Sequence, residues 1–135
     1  MSTEVHAETS AMPVDGLIRL RATIGNTGTR PGTAVPQLYL SDPVASVARP
    51  VRRLIGFARV EVPAGAAVTV EFDVHADLTA FTGRDQRRRV EPGRIVLTIA
   101  QSAADPGAGV TVDLIGEVRF VGHDRVQSAP HRVAR

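Results

Sequence analysis

Glu71 and Asp73 stand two residues apart in a stretch of alternating side chains. On an extended strand that spacing puts both carboxylates on one face, with α-carbons about 7 Å apart, close enough for paired acid–base work. Nothing else in the sequence supplies a pocket for them, so they read as solvated side chains on a wet strand face. His75 precedes Asp77 by two residues, which invites a dyad. At a strand end followed by a turn, Asp77 reads instead as the cap of a short helical turn from Leu78. His6, His123 and His131 lie toward the chain ends, and no pair has an i, i+4 or strand-mate spacing suited to a metal. Cysteine is absent, which removes disulfides, thiolate zinc sites and cysteine nucleophiles together. The expectation is no catalytic, cofactor or metal site within these residues.

The densest charge run is Arg84-Asp85-Gln86-Arg87-Arg88-Arg89. It reads as a solvated hairpin guarding an edge strand, with a phosphate or acidic-partner grip as the alternative. No glycine pair around Gly25, Gly28, Gly107 and Gly109 both follows a strand and opens a helix, so no phosphate-binding loop is expected. All 16 basic residues are arginine, and the net charge is +2. With aromatics at only 4% there is neither a basic patch nor a stacking platform for nucleic acid.

The elements that must carry these residues are short strands. Ile18, Leu20, Ala22 and Ile24 alternate with Arg19, Arg21 and Thr23 between Asp15 and Asn26, as in a half-buried strand. Val35 to Ser41 follows a turn-rich Asn26–Gly32 stretch, and Pro36 places its start at an edge or bulge. Asp42 to Arg53 is a long connection without period. Strands are then expected over Leu54–Val62, Val68–Val74, Arg87–Val90, Ile95–Gln101 and Val110–Val121. Ile18, Leu20, Leu38, Leu40, Val70, Phe72, Leu97 and Ile99 form the expected core.

About seven strands, no helix of three turns and a length of 135 residues predict one all-β sandwich of the immunoglobulin or fibronectin type III-like class. A β-barrel is the competing architecture. Residues 1–12 read as a flexible leader, either loose or pairing weakly as an edge, 13–122 as the domain and 123–135 as a frayed C-terminal tail. No apolar run is long enough to span a bilayer as a helix. The first residues lack the basic and apolar regions of a secretory signal, so a cytoplasmic location is expected if the chain start is natural.

Three blocks carry a specific resemblance: Asn26-Thr27-Gly28-Thr29-Arg30-Pro31-Gly32, Val35-Pro36-Gln37-Leu38-Tyr39-Leu40-Ser41-Asp42-Pro43 and Arg49-Pro50-Val51-Arg52-Arg53-Leu54-Ile55-Gly56-Phe57. Pro63-Ala64-Gly65, Asp77-Leu78-Thr79-Ala80-Phe81 and Val90-Glu91-Pro92-Gly93 continue it. Together, over about residues 14 to 122, the chain resembles the C-terminal fibronectin type III-like domain of glycoside hydrolase family 3 enzymes, the bacterial β-glucosidases and β-xylosidases. It departs from them at Arg88, Arg89, Arg94 and Ile95, where members often carry aromatics.

The resemblance implies a non-catalytic accessory domain, because the family's nucleophile and acid/base belong to a (β/α)8 barrel and an α/β domain. Those two domains are the implied partners, in cis or in trans, with no cofactor, nucleic acid or membrane involved. The connection from Ser41 to Phe57 holds too many apolar groups to leave in water. Arg49, Pro50, Val51, Arg52, Arg53 and Leu54 are therefore the expected docking surface, with the arginines available for bidentate pairs to a partner's carboxylates. The alternative is an independent carbohydrate- or protein-binding module, for which Tyr39, Phe57, Phe72, Phe81 and Phe120 are the available aromatics.

Overall fold

A computed structural model describes residues 2–41, 52–82, 88–101, 105, 107–121 and 129–134. The alternation in the sequence becomes two main sheets. The first contains β1 (Ser2–Ala7), β3 (Leu17–Gly25), β8 (Ala67–His75) and β14 (His131–Ala134), in the order β1-β3-β8-β14. The second contains β2 (Ala11–Pro13), β5 (Gln37–Ser41), β6 (Arg53–Phe57), β11 (Gly93–Ala100) and β12 (Ala108–Ile115), in the order β2-β12-β11-β5-β6. Two small sheets close the ends: β4 (Gly32–Ala34) with β7 (Val60–Val62), and β9 (Phe81–Thr82), β10 (Arg88–Val90) and β13 (Arg119–Phe120). Every pairing is antiparallel except β2 with β12. No helix among the described residues is long and apolar enough to cross a membrane.

The inner faces of the main sheets share one hydrophobic cluster. Ile18, Leu20, Leu38, Leu40, Val70, Phe72, Leu97 and Ile99, the eight residues picked out by alternation, are all buried in it. Pairing of Leu20 with Phe72 and of Leu97 with Leu40 places them opposite one another across the ladders. The fold is the expected all-β sandwich.

Both chain ends carry paired strands: the leader takes the edge position, and part of the tail is paired rather than frayed. Residues 2–7 of the leader pair with β3 over six positions, and Val5 and Ala7 pack against the core. The same segment continues into the second sheet as β2, so the chain start straddles both layers. Residues 131–134 of the tail pair with β8. In each case an edge strand with free N–H and C=O groups captured a terminal segment whose local pattern is weak, a long-range gain that periodicity does not report.

Two expected strands are each divided. The 54–62 stretch leaves the second sheet after Phe57 and enters the small β4–β7 sheet, with the Ala58 N–H donating to the Pro36 carbonyl at 3.1 Å. The 110–121 stretch breaks at Gly116, whose φ of +122° ends β12. A side chain there would also meet Val14, 3.2 Å from the ideal Cβ position. Asn26 explains why an Asn-Thr-Gly block begins the next loop: its Nδ2 donates to the carbonyls of Arg30 (2.8 Å) and Val62 (3.0 Å), while its Oδ1 accepts from the Gly28 N–H (2.9 Å).

Candidate docking face

The expected docking surface falls on the β5–β6 edge of the second sheet. Arg49, Pro50 and Val51 lie outside the described residues, whereas Arg52, Arg53 and Leu54 are placed. The two arginines serve their own chain. Arg52 stacks its guanidinium 4.3 Å from the Tyr39 ring centroid and donates to the Asp105 carbonyl at 2.6 Å. The Asp105 carboxylate accepts from the N–H groups of Gln101 (2.9 Å) and Gly107 (3.0 Å). Those backbone donors, with Arg52 adding to them, hold its carboxyl below the usual carboxylate range. Arg53 pairs across from Leu40 and donates to the Leu78 carbonyl.

Besides Arg53, the exposed side chains of β6 are apolar. Tyr39 lies opposite Leu54 and Gln37 opposite Phe57, while one register shift falls between Leu38 and Tyr39. The extra residue, Ile55, puts Leu54 and Phe57 on the same outer face although they are three apart. Leu54 is 49% exposed, Phe57 60% and Val35, two residues before Gln37, 37%. An exposed edge strand carrying two large apolar side chains is a surface that asks for cover. The register shift, and with it this strip, was not visible in the sequence.

The candidate catalytic constellations take structural forms. Glu71 is buried rather than solvated: its Oε2 accepts from Arg21 Nε at 3.1 Å, with Arg132 Nε 3.5 Å from Oε1 and Arg19 Nε 3.7 Å from Oε2. Asp73 accepts from both terminal nitrogens of Arg132, at 2.9 and 3.2 Å, with Arg19 3.5 Å away. The hydrogen bond from Arg21 holds the Glu71 carboxyl below its usual range, and that from Arg132 does the same for Asp73. Glycosidic cleavage by a carboxyl pair needs one group that keeps its proton near neutrality. Here both carboxyls are driven the other way.

His75, not Asp77, caps the 3-10 turn Ala76–Thr79: its Nδ1 accepts the Asp77 N–H at 3.0 Å. Asp77 sits inside the turn, buried, and accepts from Arg119, whose Nε also donates to the Val14 carbonyl at 3.0 Å. This carboxylate joins the turn, β13 and the Val14 corner. Among the described residues no three His, Asp or Glu side chains gather as metal ligands.

Residues 34–103 match the fibronectin type III-like domain family. The chain is 31% identical over 102 residues to the periplasmic β-glucosidase of Salmonella typhimurium, covering 76% of this chain and 13% of that protein. It is likewise 31% identical over 99 residues to a β-xylosidase of Formosa agariphila, covering 73% and 14%. Among solved structures, the β-glucosidase of Listeria innocua in complex with glucose superposes with a TM-score of 0.74 at 26% identity, over 86% of this chain and 16% of that one. The chain thus spans about a seventh of the length of these relatives. By its strand order, core and matched residues, it belongs to the fibronectin type III-like domain family, in the form carried by family 3 β-glucosidases and β-xylosidases.

Proposed function

We propose that this domain is a non-catalytic accessory module that stabilises a family 3 β-glycosidase by docking on its barrel and α/β domains, in cis or in trans. The reaction served would be hydrolysis of O-glycosidic bonds. The observation that carries the reading is the exposed Val35, Leu54 and Phe57 strip, next to a connection rich in further apolar groups. The contact is apolar rather than ionic at its described part, because Arg52 and Arg53 donate to carbonyls of their own chain.

A sugar-binding module is the weaker reading. Tyr39 is buried with Arg52 stacked against its ring, Phe72 is in the core, and the Phe120 ring has the Arg89 guanidinium 5.3 Å from its centroid. The Phe81 side chain lies outside the described ones, and among those described Phe57 alone makes a poor platform for a pyranose ring.

Adding the catalytic part of a family 3 β-glucosidase in trans should slow amide exchange over Arg53–Phe57. Phe57→Ala should weaken that association about tenfold or more, as for an apolar anchor at an interface. Exchange unchanged by the catalytic part would remove the docking. The isolated chain should hydrolyse no aryl β-glucoside or β-xyloside. Turnover that survives repurification and disappears in Asp73→Asn would overturn the non-catalytic assignment.

A further inference from the structure

The tail does more than extend a sheet. The Ala129 N–H donates to the Ile55 carbonyl of β6 at 2.9 Å, and one residue later the Pro130 carbonyl accepts the Asp73 N–H of β8 at 3.0 Å. Two consecutive residues therefore tie the edge of the second sheet to the edge of the first. The trough between them is shaped for this segment. A Cβ on Gly56 would stand 3.1 Å from the Ala129 carbonyl oxygen and 3.2 Å from its Cβ, so any larger residue there presses on buried Ala129. Beyond Pro130 the ladder puts His131 opposite Phe72, Arg132 opposite Glu71 and Val133 opposite Val70. Alternate side chains then face opposite sides: His131 reaches the Phe72 ring, with centroids 6.2 Å apart, while Arg132 lays its fork on Asp73 and its Nε near Glu71.

Backbone bonds at an open sheet edge, one slot that admits only a small residue and one acidic pair that selects an arginine are the components of peptide recognition by strand addition. We propose that the trough between β6 and β8 is a strand-receiving site whose specific occupant is the extended segment Ala129–Ala134, held here in cis and exchangeable for the same segment supplied in trans. The matched family residues end at 103, so the occupant lies outside them while Ile55, Gly56, Glu71 and Asp73 lie inside. The site does not depend on the docking role above. The two use different parts of β6, the docking strip being the outward side chains of Leu54 and Phe57 and the tail taking the Ile55 carbonyl at the open edge.

The test uses the full chain and a fluorescent peptide, Ser-Ala-Pro-His-Arg-Val-Ala-Arg, which repeats residues 128–135. Arg132→Glu in the protein sets like charges together and loosens the resident segment, so this variant should take up the peptide saturably. Wild type should bind it about tenfold or more weakly, because its own segment competes at high effective concentration. Adding Gly56→Leu to the variant should abolish uptake, as should a peptide with glutamate in place of its arginine. A folded Arg132→Glu chain that takes up no peptide, or takes it up as wild type does, overturns the proposal. So does uptake insensitive to Gly56→Leu. If Arg132→Glu does not fold, amide exchange of the wild-type chain decides. Ala129 and Asp73 should open while Leu20 and Val70 stay protected, and added salt should speed that opening. Exchange of Ala129 and Asp73 only together with the core amides overturns the proposal.

Discussion

The two outer faces of the sandwich solve the same problem in opposite ways. On the first sheet, Arg19, Arg21 and Arg132 surround Glu71 and Asp73, and Thr23 meets Thr69 at 3.2 Å between their hydroxyls. Its charged and hydroxyl side chains are paired with one another, with Leu17 exposed at one end. On the second sheet, the β5–β6 edge turns its two described arginines inward to backbone carbonyls and leaves Leu54 and Phe57 outside. Both sheets bury equally apolar inner faces, so the core does not distinguish them. The difference lies in how the outward residues are partnered, and it is the basis of the docking proposal.

The largest effect separates inside from outside. Phe72 is fully buried and Phe57 largely exposed. Phe72→Ala should cost about 3–5 kcal/mol in urea unfolding, while Phe57→Ala should change the isolated chain by no more than about 0.5 kcal/mol. A large loss at Phe57 would mean the strip packs within its own chain, and the contrast between the two faces would fail.

Next is a polar group held entirely inside. Asn26→Ala removes two donated bonds and one accepted bond from a buried side chain, leaving the Val62 carbonyl without this donor. The expected loss is about 1–3 kcal/mol. Asn26→Asp, which keeps the acceptor but loses both donors, should not restore it. A neutral result at Asn26 would show that the turn holds its shape from backbone bonds alone.

These residues also show what the sequence makes legible. Ile18, Leu20, Val70 and Phe72 announce their face because strand alternation is local, so the core follows without the fold. The β1 and β14 edges do not announce themselves. Their pairing depends on an open edge elsewhere in the chain, more than a dozen residues away for β1 and about sixty for β14, and the gain is in the ladder rather than in the segment. Arg52 and Arg53 have partners in their own chain that the sequence does not show. A cluster of arginines looks ready for a partner's carboxylates, and a bond from one of them to a backbone carbonyl of its own chain leaves no mark in residue type or spacing. The apolar strip depends on one extra residue at Ile55, which shifts Leu54 to the side of Phe57. Bulges of this kind are set by pairing registers, which a single strand's sequence does not contain.

The charged face gives a smaller effect, read against pH. Glu71 and Asp73 are held below their usual range in the fold by Arg21 and Arg132 respectively. In the unfolded chain they titrate near pH 4. Between those limits the unfolded chain binds more protons, so stability rises with pH there. The contribution is full above about pH 5 and disappears as pH falls through about 4 and below. The companion rise at Arg132 lies too high to matter in this range. Melting midpoints between these limits should fall more steeply for wild type than for Glu71→Gln with Asp73→Asn. Salt should shrink the difference, since Arg19, Arg21 and Arg132 are well exposed to solvent. An acid limb identical in the two proteins would place the stabilising charges elsewhere.

The smallest effect tests whether the charged face is only a wet surface or also a ladder. Thr69 and Thr23 sit opposite one another on β8 and β3, next to the arginine–carboxylate cluster. A cross-strand hydroxyl pair is worth about 0.2–1 kcal/mol. Thr69→Ala should therefore lower stability only slightly, and Thr23→Ala by a similar amount. The double substitution should cost less than the sum, because either change alone already removes the shared bond. The adjacent Val70 provides the reference, since it is fully buried and Val70→Ala opens a hole in the core. Its loss should exceed that of Thr69→Ala several-fold. Equal losses at 69 and 70 would mean both faces of β8 are buried, and the first sheet's outer face would then need a covering surface of its own.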